Sequence, residues 1–327
     1  MAFLLNFISL CQGAVAEHGA EAAEHVAEHA EQAAEGFNAG ETIIGHVANG
    51  AHPLIQIPPV CGIDFSVTKH VLMLWIVAFI VGVVVIGTIQ RNLRKNRGIP
   101  SGFMNLLEFV VLWVRDDIVE PNVGKKWVKV WAPLLLTFFF FIFASNLIGL
   151  VPLFDVIGLL DHYVLHSGPD SFIARAIHGG TTTTANFNVT AALATITFFA
   201  IILAGVKAHG FFKHWKNMVP HGLNPLVYII LIPIEVMGLF VRPFALTMRL
   251  AANMTGGHIA ILALLSFVFL FTEMFHQALV GIGVQLLVSI PLAVAISGLE
   301  IIVVIVQAYV FTLLTAVFIG MAIHVHH

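Results

Sequence analysis

Long apolar runs separated by short polar segments dominate the chain from residue 70 onward. Residues 70–90 contain no Asp, Glu, Lys or Arg, and their length matches the roughly 20 residues that a helix needs to cross a bilayer. Uninterrupted apolar runs favour helices over a membrane barrel, whose strands would alternate apolar and polar positions. The pattern therefore predicts an all-α polytopic membrane protein with membrane helices at residues 70–90, 130–151, 189–207, 226–264 and 277–322.

Two features modify this picture of five plain spans. Residues 101–120 mix apolar residues with acidic and basic ones, which predicts an amphipathic helix lying in the membrane interface. The last two apolar segments exceed the length of a perpendicular span, so we expect two long, tilted helices. They would form a hairpin at about 226–322, with residues 271–276 as its outer-side connection.

Composition and charge agree with a membrane protein. The chain is 59% hydrophobic and 10% charged, whereas a soluble domain is about 25% charged. Eleven of the 15 Lys and Arg residues fall within 91–129 and 207–216. Because basic loops stay on the cytoplasmic or matrix side, we expect the N-terminus outside and the C-terminus inside.

Residues 1–67 are predicted to form an outer-side tail ahead of a membrane domain at 68–327. Residues 1–16 end in an Ala-Val-Ala pattern typical of a signal peptide, but they lack its basic n-region. Cleavage and a retained apolar N-terminus therefore both stay open.

Metal and disulfide chemistry has little support in the tail. His25 and His29 of the Glu/Ala/His-rich stretch 17–35 share a helical face, which makes them candidate metal ligands. A solvated acidic helix or a disordered tail is the simpler interpretation. Cys11 and Cys61 are too few for a disulfide scaffold or a cysteine metal site.

Ionisable side chains interrupt the apolar segment 235–259. A charge at bilayer depth costs at least roughly 2.5–3.5 kcal/mol, so such groups usually mark an ion path, a proton relay or a partner's counter-charge. At about 100° per residue, Glu235 and Asn253 each lie about 40° from Arg249 on one helical face. His258 lies on the opposite face, and no functional role is predicted for Arg242, which precedes Pro243.

A second group of polar residues lies on the last helix. Glu300 and Gln307 are seven residues apart and share a face. His258 and Glu300 could meet across the hairpin and pass protons, because histidine titrates near neutral pH. A buried salt bridge that fixes helix register is the alternative. Glu235 near the inner end is either a proton-entry group or a side chain that reaches the interface.

Arg249 needs a counter-charge. Arginine stays protonated, so it cannot carry protons, but it can attract a carboxylate or block proton passage. No acidic residue lies close to Arg249 in sequence, which predicts a counter-charge from another chain. Pairing with Glu300 inside the hairpin is the alternative.

The segment around Arg249 resembles the a-subunit family of F-type ATP synthases, the membrane stator beside the rotating c-ring. The resemblance covers roughly residues 70–322. It rests on Arg249-Leu250, Asn253, Gly256-Gly257-His258, Asn146-Leu147 with Pro152, residues 184–190 and Gln307-Ala308.

The resemblance implies specific roles for these residues. Arg249 would face the c-ring carboxylate, separate two aqueous half-channels and prevent a proton short circuit. Glu235 would belong to the inner half-channel, whereas the outer one would be lined by Asn253, His258, Glu300 and Gln307. Compared with many bacterial members, the acid and the histidine at positions 258 and 300 are exchanged, as in mitochondrial relatives. The Gly256-Gly257 pair would let helices approach closely.

The same resemblance implies a non-catalytic subunit of the proton-transporting two-sector ATPase. Its partners would be the c-ring, the b-subunit peripheral stalk, the rest of the FoF1 complex and the lipid bilayer, with no cofactor and no nucleic acid. A bacterial inner membrane is favoured over the mitochondrial inner membrane, because the N-terminus lacks an Arg-rich transit segment.

Two other classes of protein stay open at this point. A self-contained channel or secondary transporter would need its own counter-charge for Arg249 and commonly an inverted repeat, and neither is visible. In a non-conducting scaffold, the buried charges would only hold helices together. The chain has no phosphate-binding loop, so ATP chemistry would belong to other subunits.

Overall fold

A computed structural model describes residues 68–96, 99–150, 183–217, 225–275 and 278–324. Every regular element in these ranges is helical, which confirms the predicted all-α class. The α-helices are α1 (Lys69–Asn96), α2 (Phe103–Trp113), α3 (Glu120–Val123), α4 (Val128–Leu150), α5 (Phe187–His209), α6 (Phe211–Asn217), α7 (Pro225–Phe275), α8 (Ala278–Val284) and α9 (Ile290–Ile323).

Five stretches of the described residues are long and apolar enough to cross a membrane, which confirms the predicted number of spans. They are His70–Arg94, Val128–Leu150, Phe187–His209, Val227–Phe275 and Gly281–Ile323. A helix forms within the predicted 101–120 segment as α2, with Leu107 buried and Phe103, Leu106 and Phe109 exposed. Its amphipathic, interfacial character stays a prediction. The tail at 1–67, with its candidate ligands His25 and His29, lies outside the described residues.

Helix α7 is longer than predicted. The sequence pattern ended this helix near residue 264 and assigned 271–276 to a connection, but the helix continues to Phe275. Residues 265–275 contain neither Gly nor Pro, so nothing removes a backbone donor or favours a turn. The Ser266 hydroxyl donates to the Leu262 carbonyl at 2.8 Å, which satisfies this polar group within the helix.

Two π-helical segments, Val114–Val119 and Gln285–Ser289, interrupt otherwise α-helical stretches. In each case a proline follows two residues after the segment ends, Pro121 in the first and Pro291 in the second. A proline lacks the N–H donor, and its ring clashes with the carbonyl four residues earlier. That carbonyl lies inside the π segment both times, so the wider turn relieves the clash.

The chain divides into two compact units. The first unit comprises Leu74–Leu147, Thr183–Asn253 and Val303–His327. It has a continuous apolar core in which Leu135, Ile142 and Phe311 are each at most 2% exposed. Aromatic contacts reinforce this core, for example the edge-on contact of Phe138 with Phe311 at 5.5 Å between ring centroids.

The second unit, Met1–Met73, Ile148–Thr182 and Met254–Ile302, has a different interior. Among its described residues, the buried apolar side chains are only Met73, Met254 and Ala293. Its buried polar side chains outnumber them and are His70, Ser266, Thr272, Gln285, Ser289 and Glu300.

Candidate functional site

An acid and an imidazole meet in the second unit. His258 Nδ1 lies 3.8 Å from Glu300 Oε1. The Glu300 residue is 8% exposed, and its Oε1 accepts no hydrogen bond from any residue that the structure describes. A buried carboxylate is stable in its charged form only when it is paired and hydrogen-bonded. The Glu300 carboxyl group is therefore buried with an incomplete set of hydrogen-bond partners among the described residues.

The tautomer of His258 follows from its second contact. His258 Nδ1 also lies 3.1 Å from the backbone carbonyl oxygen of Met254. A carbonyl oxygen only accepts hydrogen bonds, so Nδ1 is the protonated nitrogen in this contact. In the neutral ring, Nε2 is then the nitrogen that can accept a proton.

Gly257 allows Glu300 to lie against α7. A Cβ atom added at Gly257 would overlap the Glu300 carboxyl group, with the carboxyl carbon only 2.8 Å away. A Cβ added at Gly256 would meet no heavy atom within 4 Å. Of the two glycines for which close approach was predicted, Gly257 makes that approach to the last helix.

Two further polar side chains in the second unit escaped the sequence analysis. Gln285 and Ser289 are 1% and 0% exposed and lie at the ends of the second π segment. Gln285 Oε1 and Ser289 Oγ have no hydrogen-bond partner among the described residues. Their spacing of four in an apolar segment was the available signal, and it indicates one shared helical face.

The first unit contains the arginine to which the sequence analysis gave the central role. Arg249 is exposed on α7, whereas its neighbour Leu250 is 0% exposed and packs in the core. Arg249 forms no ion pair with any described residue. Its guanidinium therefore points away from the apolar core.

One turn after Arg249 on α7, the side-chain amide of Asn253 contacts the side-chain amide of Gln307 on α9. Asn253 Nδ2 donates to Gln307 Oε1 at 3.0 Å, and Gln307 is 4% exposed. The structure thus brings together two residues that the sequence placed on different helices. The bond fixes the orientation of Gln307 and leaves part of Asn253 exposed.

Glu235 has a partner that the sequence analysis missed. Arg242 Nη2 lies 3.7 Å from Glu235 Oε1, and the guanidinium carbon lies 5.6 Å from the centre of the Phe318 ring. Residues seven apart share a helical face, so the spacing of Glu235 and Arg242 was the available signal. In the first unit, Arg242 thus has an internal ion-pair partner, whereas Arg249 has none among the described residues.

Metal ligation has no support in the part of the chain that the structure describes. No group of three or more His, Cys, Asp or Glu side chains there is arranged to hold a metal ion.

The fold is that of a polytopic helical membrane protein, with a buried acid–imidazole pair and an exposed arginine on a long apolar helix. The family model of the ATP synthase A chain matches residues 71–320. The chain therefore belongs to the ATP synthase A chain family.

Curated relatives agree with this assignment. An ATP synthase subunit a of Pelodictyon phaeoclathratiforme is 37% identical over 87% of this chain and 76% of its own length. An ATP synthase subunit a 2 of Chlorobium luteolum is 39% identical over the same shares. An ATP synthase subunit a of Chlorobium phaeobacteroides is 37% identical over 98% of this chain and 89% of its own length.

Proposed function

We propose that this chain is the proton-translocating stator of an F-type ATP synthase, working against a ring of carboxylate-bearing c-subunits. The observation that carries the proposal is Arg249, which is exposed on a membrane helix and lacks an ion-pair partner among the described residues. A charge in this setting needs a counter-charge. A carboxylate on a neighbouring subunit supplies it.

The outer half-channel uses the acid–imidazole pair. A proton arriving here can be taken up by the imidazole of His258 or by the carboxylate of Glu300, whose Nδ1 and Oε1 atoms lie 3.8 Å apart. Glu300 Oε1 accepts no hydrogen bond from any described residue. Gln285 and Ser289 offer further polar oxygens for water along this path. Asn253 and Gln307 supply a second polar pair on the way to the ring.

The inner half-channel uses Glu235. Its carboxylate is 38% exposed at the side chain and lies 3.7 Å from Arg242 Nη2. A partly exposed carboxylate has access to water and can take up a proton released from the ring. Arg242 thus positions Glu235 and offsets its charge.

The cycle then follows from electrostatics. A ring carboxylate neutralised from the outer path can enter lipid, since only the charged form is strongly excluded. Another carboxylate returns from lipid, releases its proton towards Glu235 and is attracted by Arg249. A membrane potential contributes about 2.3 kcal/mol per charge per 100 mV, which drives the ring in one direction. Arg249 repels protons and prevents direct passage between the two paths.

This function places the chain in a complex with the c-ring, the b-subunit peripheral stalk and the rest of FoF1. The complex is the proton-transporting two-sector ATPase, and its ATP chemistry belongs to other subunits. The relatives are bacterial proteins, which supports a bacterial inner membrane. The concentration of basic residues in 91–129 and 207–216 supports an N-terminus outside and a C-terminus inside.

ATP-driven proton pumping in inverted membrane vesicles tests the proposal. Arg249→Ala should abolish pumping while the complex still assembles, because Arg249 contributes no core packing. Arg94→Ala removes an equally exposed arginine from the end of α1 and is the matched control. Arg249→Lys should restore little activity, because lysine lacks the planar guanidinium group that binds a carboxylate through two hydrogen bonds. Normal pumping by an assembled Arg249→Ala complex would refute the proposal.

A further inference from the structure

Helix α6 begins where the membrane span of α5 ends. The apolar span Phe187–His209 is long enough to cross a bilayer, and Gly210 alone separates the two helices. Gly210 has φ 85°, a backbone conformation that favours glycine, so the chain leaves the direction of α5 at this residue. The seven residues of α6 (Phe211–Asn217) therefore start at the membrane surface.

One face of α6 is held against the protein by a histidine. His214 is 7% exposed, and a Cβ atom added at Gly205 of α5 would overlap its imidazole ring. The glycine thus lets the ring lie directly against the backbone of α5. Because this contact fixes the rotation of α6 about its own axis, it also fixes where the other side chains of the helix point.

The aromatic side chains of α6 lie on a second face and are exposed. Phe211, Phe212 and Trp215 are 58%, 86% and 44% exposed. At about 100° per residue, Phe211 and Phe212 lie about 40° and about 60° to either side of Trp215. Lys213 is also exposed and lies about 160° from Trp215. The helix therefore has an aromatic face and, opposite to it, a basic face.

The charge around α6 favours a negatively charged partner. Lys207, Lys213 and Lys216 lie within α6 or close to it, and residues 171–234 contain no Asp or Glu. Basic residues beside exposed aromatic rings are typical of helices that lie on anionic membranes. Lysine is depleted from the cores of protein–protein interfaces, so this composition fits a lipid surface better than a protein partner.

We propose that α6 docks on the anionic lipid headgroups of the membrane. Phe211, Phe212 and Trp215 lie at the boundary between headgroups and acyl chains, where they bury apolar surface. Lys213 lies on the aqueous side and attracts the lipid phosphates. The docked helix holds the end of α5 at a fixed depth in the bilayer. This inference depends on α5 being a membrane span and is independent of the proposed proton path.

Fluorescence quenching in vesicles of phosphatidylethanolamine and phosphatidylglycerol tests the depth of each face. Phe212→Cys and Lys213→Cys each carry a bimane fluorophore in the assembled complex, with Cys11, Cys61 and every other cysteine replaced by serine. The label at 212 should be quenched mainly by nitroxide-labelled lipid, and the label at 213 mainly by acrylamide in water. The lipid-to-acrylamide quenching ratio should be at least about threefold higher at 212, as expected for a face buried by about 5–10 Å.

Two further labelled positions provide the reference values. Phe79→Cys reports lipid, because Phe79 is 72% exposed within the membrane span of α1. Lys125→Cys reports water, because the side chain of Lys125 is 90% exposed in the segment before α4.

The charge of the lipid is tested with the label at 212. Nitroxide-labelled phosphatidylglycerol should quench it about twofold more than nitroxide-labelled phosphatidylcholine, because surface lysines attract anionic lipid. The double variant Lys207→Gln/Lys213→Gln should remove this preference. Lys125→Gln/Lys126→Gln is the matched control, because it removes two exposed lysines that lie outside α6, and it should retain the preference.

Three results would overturn the proposal. Acrylamide quenching at 212 as strong as that at 125 would place the aromatic face in water. Protection of 212 from both acrylamide and nitroxide-labelled lipid would show that a neighbouring subunit covers this face. Equal quenching by phosphatidylglycerol and phosphatidylcholine would reject an anionic lipid as the partner.

Discussion

The two compact units of this protein bury different kinds of side chains. The first unit has an apolar core that includes Leu135 and Phe311, whereas the second buries more polar than apolar side chains among its described residues. Buried polar groups cost free energy unless they are hydrogen-bonded. Glu300 Oε1 and Ser289 Oγ lack such partners among the described residues. Among the described residues, the interior of the first unit is therefore mainly apolar, whereas that of the second is mainly polar; we propose that the second exchanges protons with water or a partner.

The largest expected effect is on the stability of the first unit. Leu135 is 0% exposed, so Leu135→Ala should lower the free energy of unfolding by about 2–5 kcal/mol. Thermal unfolding of the purified chain in detergent measures this change. Val130→Ala on the same helix is the control, because Val130 is 42% exposed and its truncation leaves no internal cavity. Equal losses from both variants would contradict the assignment of the core.

Glu300→Gln should separate function from stability in the second unit. The amide keeps the shape of the side chain but does not exchange a proton, so ATP-driven pumping should fall at least about tenfold. The unfolding temperature should stay constant or rise, because the buried carboxylate has a single, imperfect ion-pair partner among the described residues. A variant that loses stability and retains pumping would identify the pair as a structural salt bridge.

Alanine substitutions at the adjacent residues Gly256 and Gly257 should have different effects on proton pumping, and the expected difference is smaller than that for Glu300→Gln. Gly257→Ala should displace the Glu300 carboxyl group and lower pumping several-fold, because the new Cβ overlaps it. Gly256→Ala should leave pumping unchanged, since the space around Gly256 is open. Measured pumping rates at equal amounts of assembled complex compare the two. Similar rates would show that Glu300 does not act from its position against α7.

The smallest effect concerns a histidine of the first unit. Burial lowers the pKa of His214 below its ordinary value of 6.5, and the nearby His209 lowers it further. The unfolded chain therefore binds a proton at higher pH than the folded chain, and stability falls as pH drops below about 6.5. His214→Gln should remove this component from the pH dependence of thermal unfolding. His324→Gln, at an exposed position, should retain it.

Apolar run lengths were sufficient to predict the spans, because bilayer thickness fixes how long such a helix must be. Sequence did not reveal the π segments before Pro121 and Pro291, since other prolines of this chain, such as Pro133 and Pro243, lie inside unbroken α-helices. Whether a proline widens a helix depends on the packing around it.

The candidate site was partly predictable for a similar reason. His258 and Glu300 stood out because ionisable residues are rare in apolar segments, and the structure places them together. Arg242 was missed because a proline beside an arginine suggested a structural role, although its spacing from Glu235 indicated a shared face. Residue type and spacing therefore identified candidate residues, whereas the partners of Glu235 and Glu300 could be identified only from the fold.

Cross-linking from the face of α7 that carries Arg249 tests the central claim most directly. Ala245 lies about 40° from Arg249, whereas Phe244 lies about 140° away, and both residues are exposed. A photo-cross-linking residue at position 245 of the assembled complex should form an adduct with a small ring subunit. The same residue at position 244 should react mainly with lipid. A ring adduct from 244 but none from 245 would show that the counter-charge of Arg249 lies elsewhere.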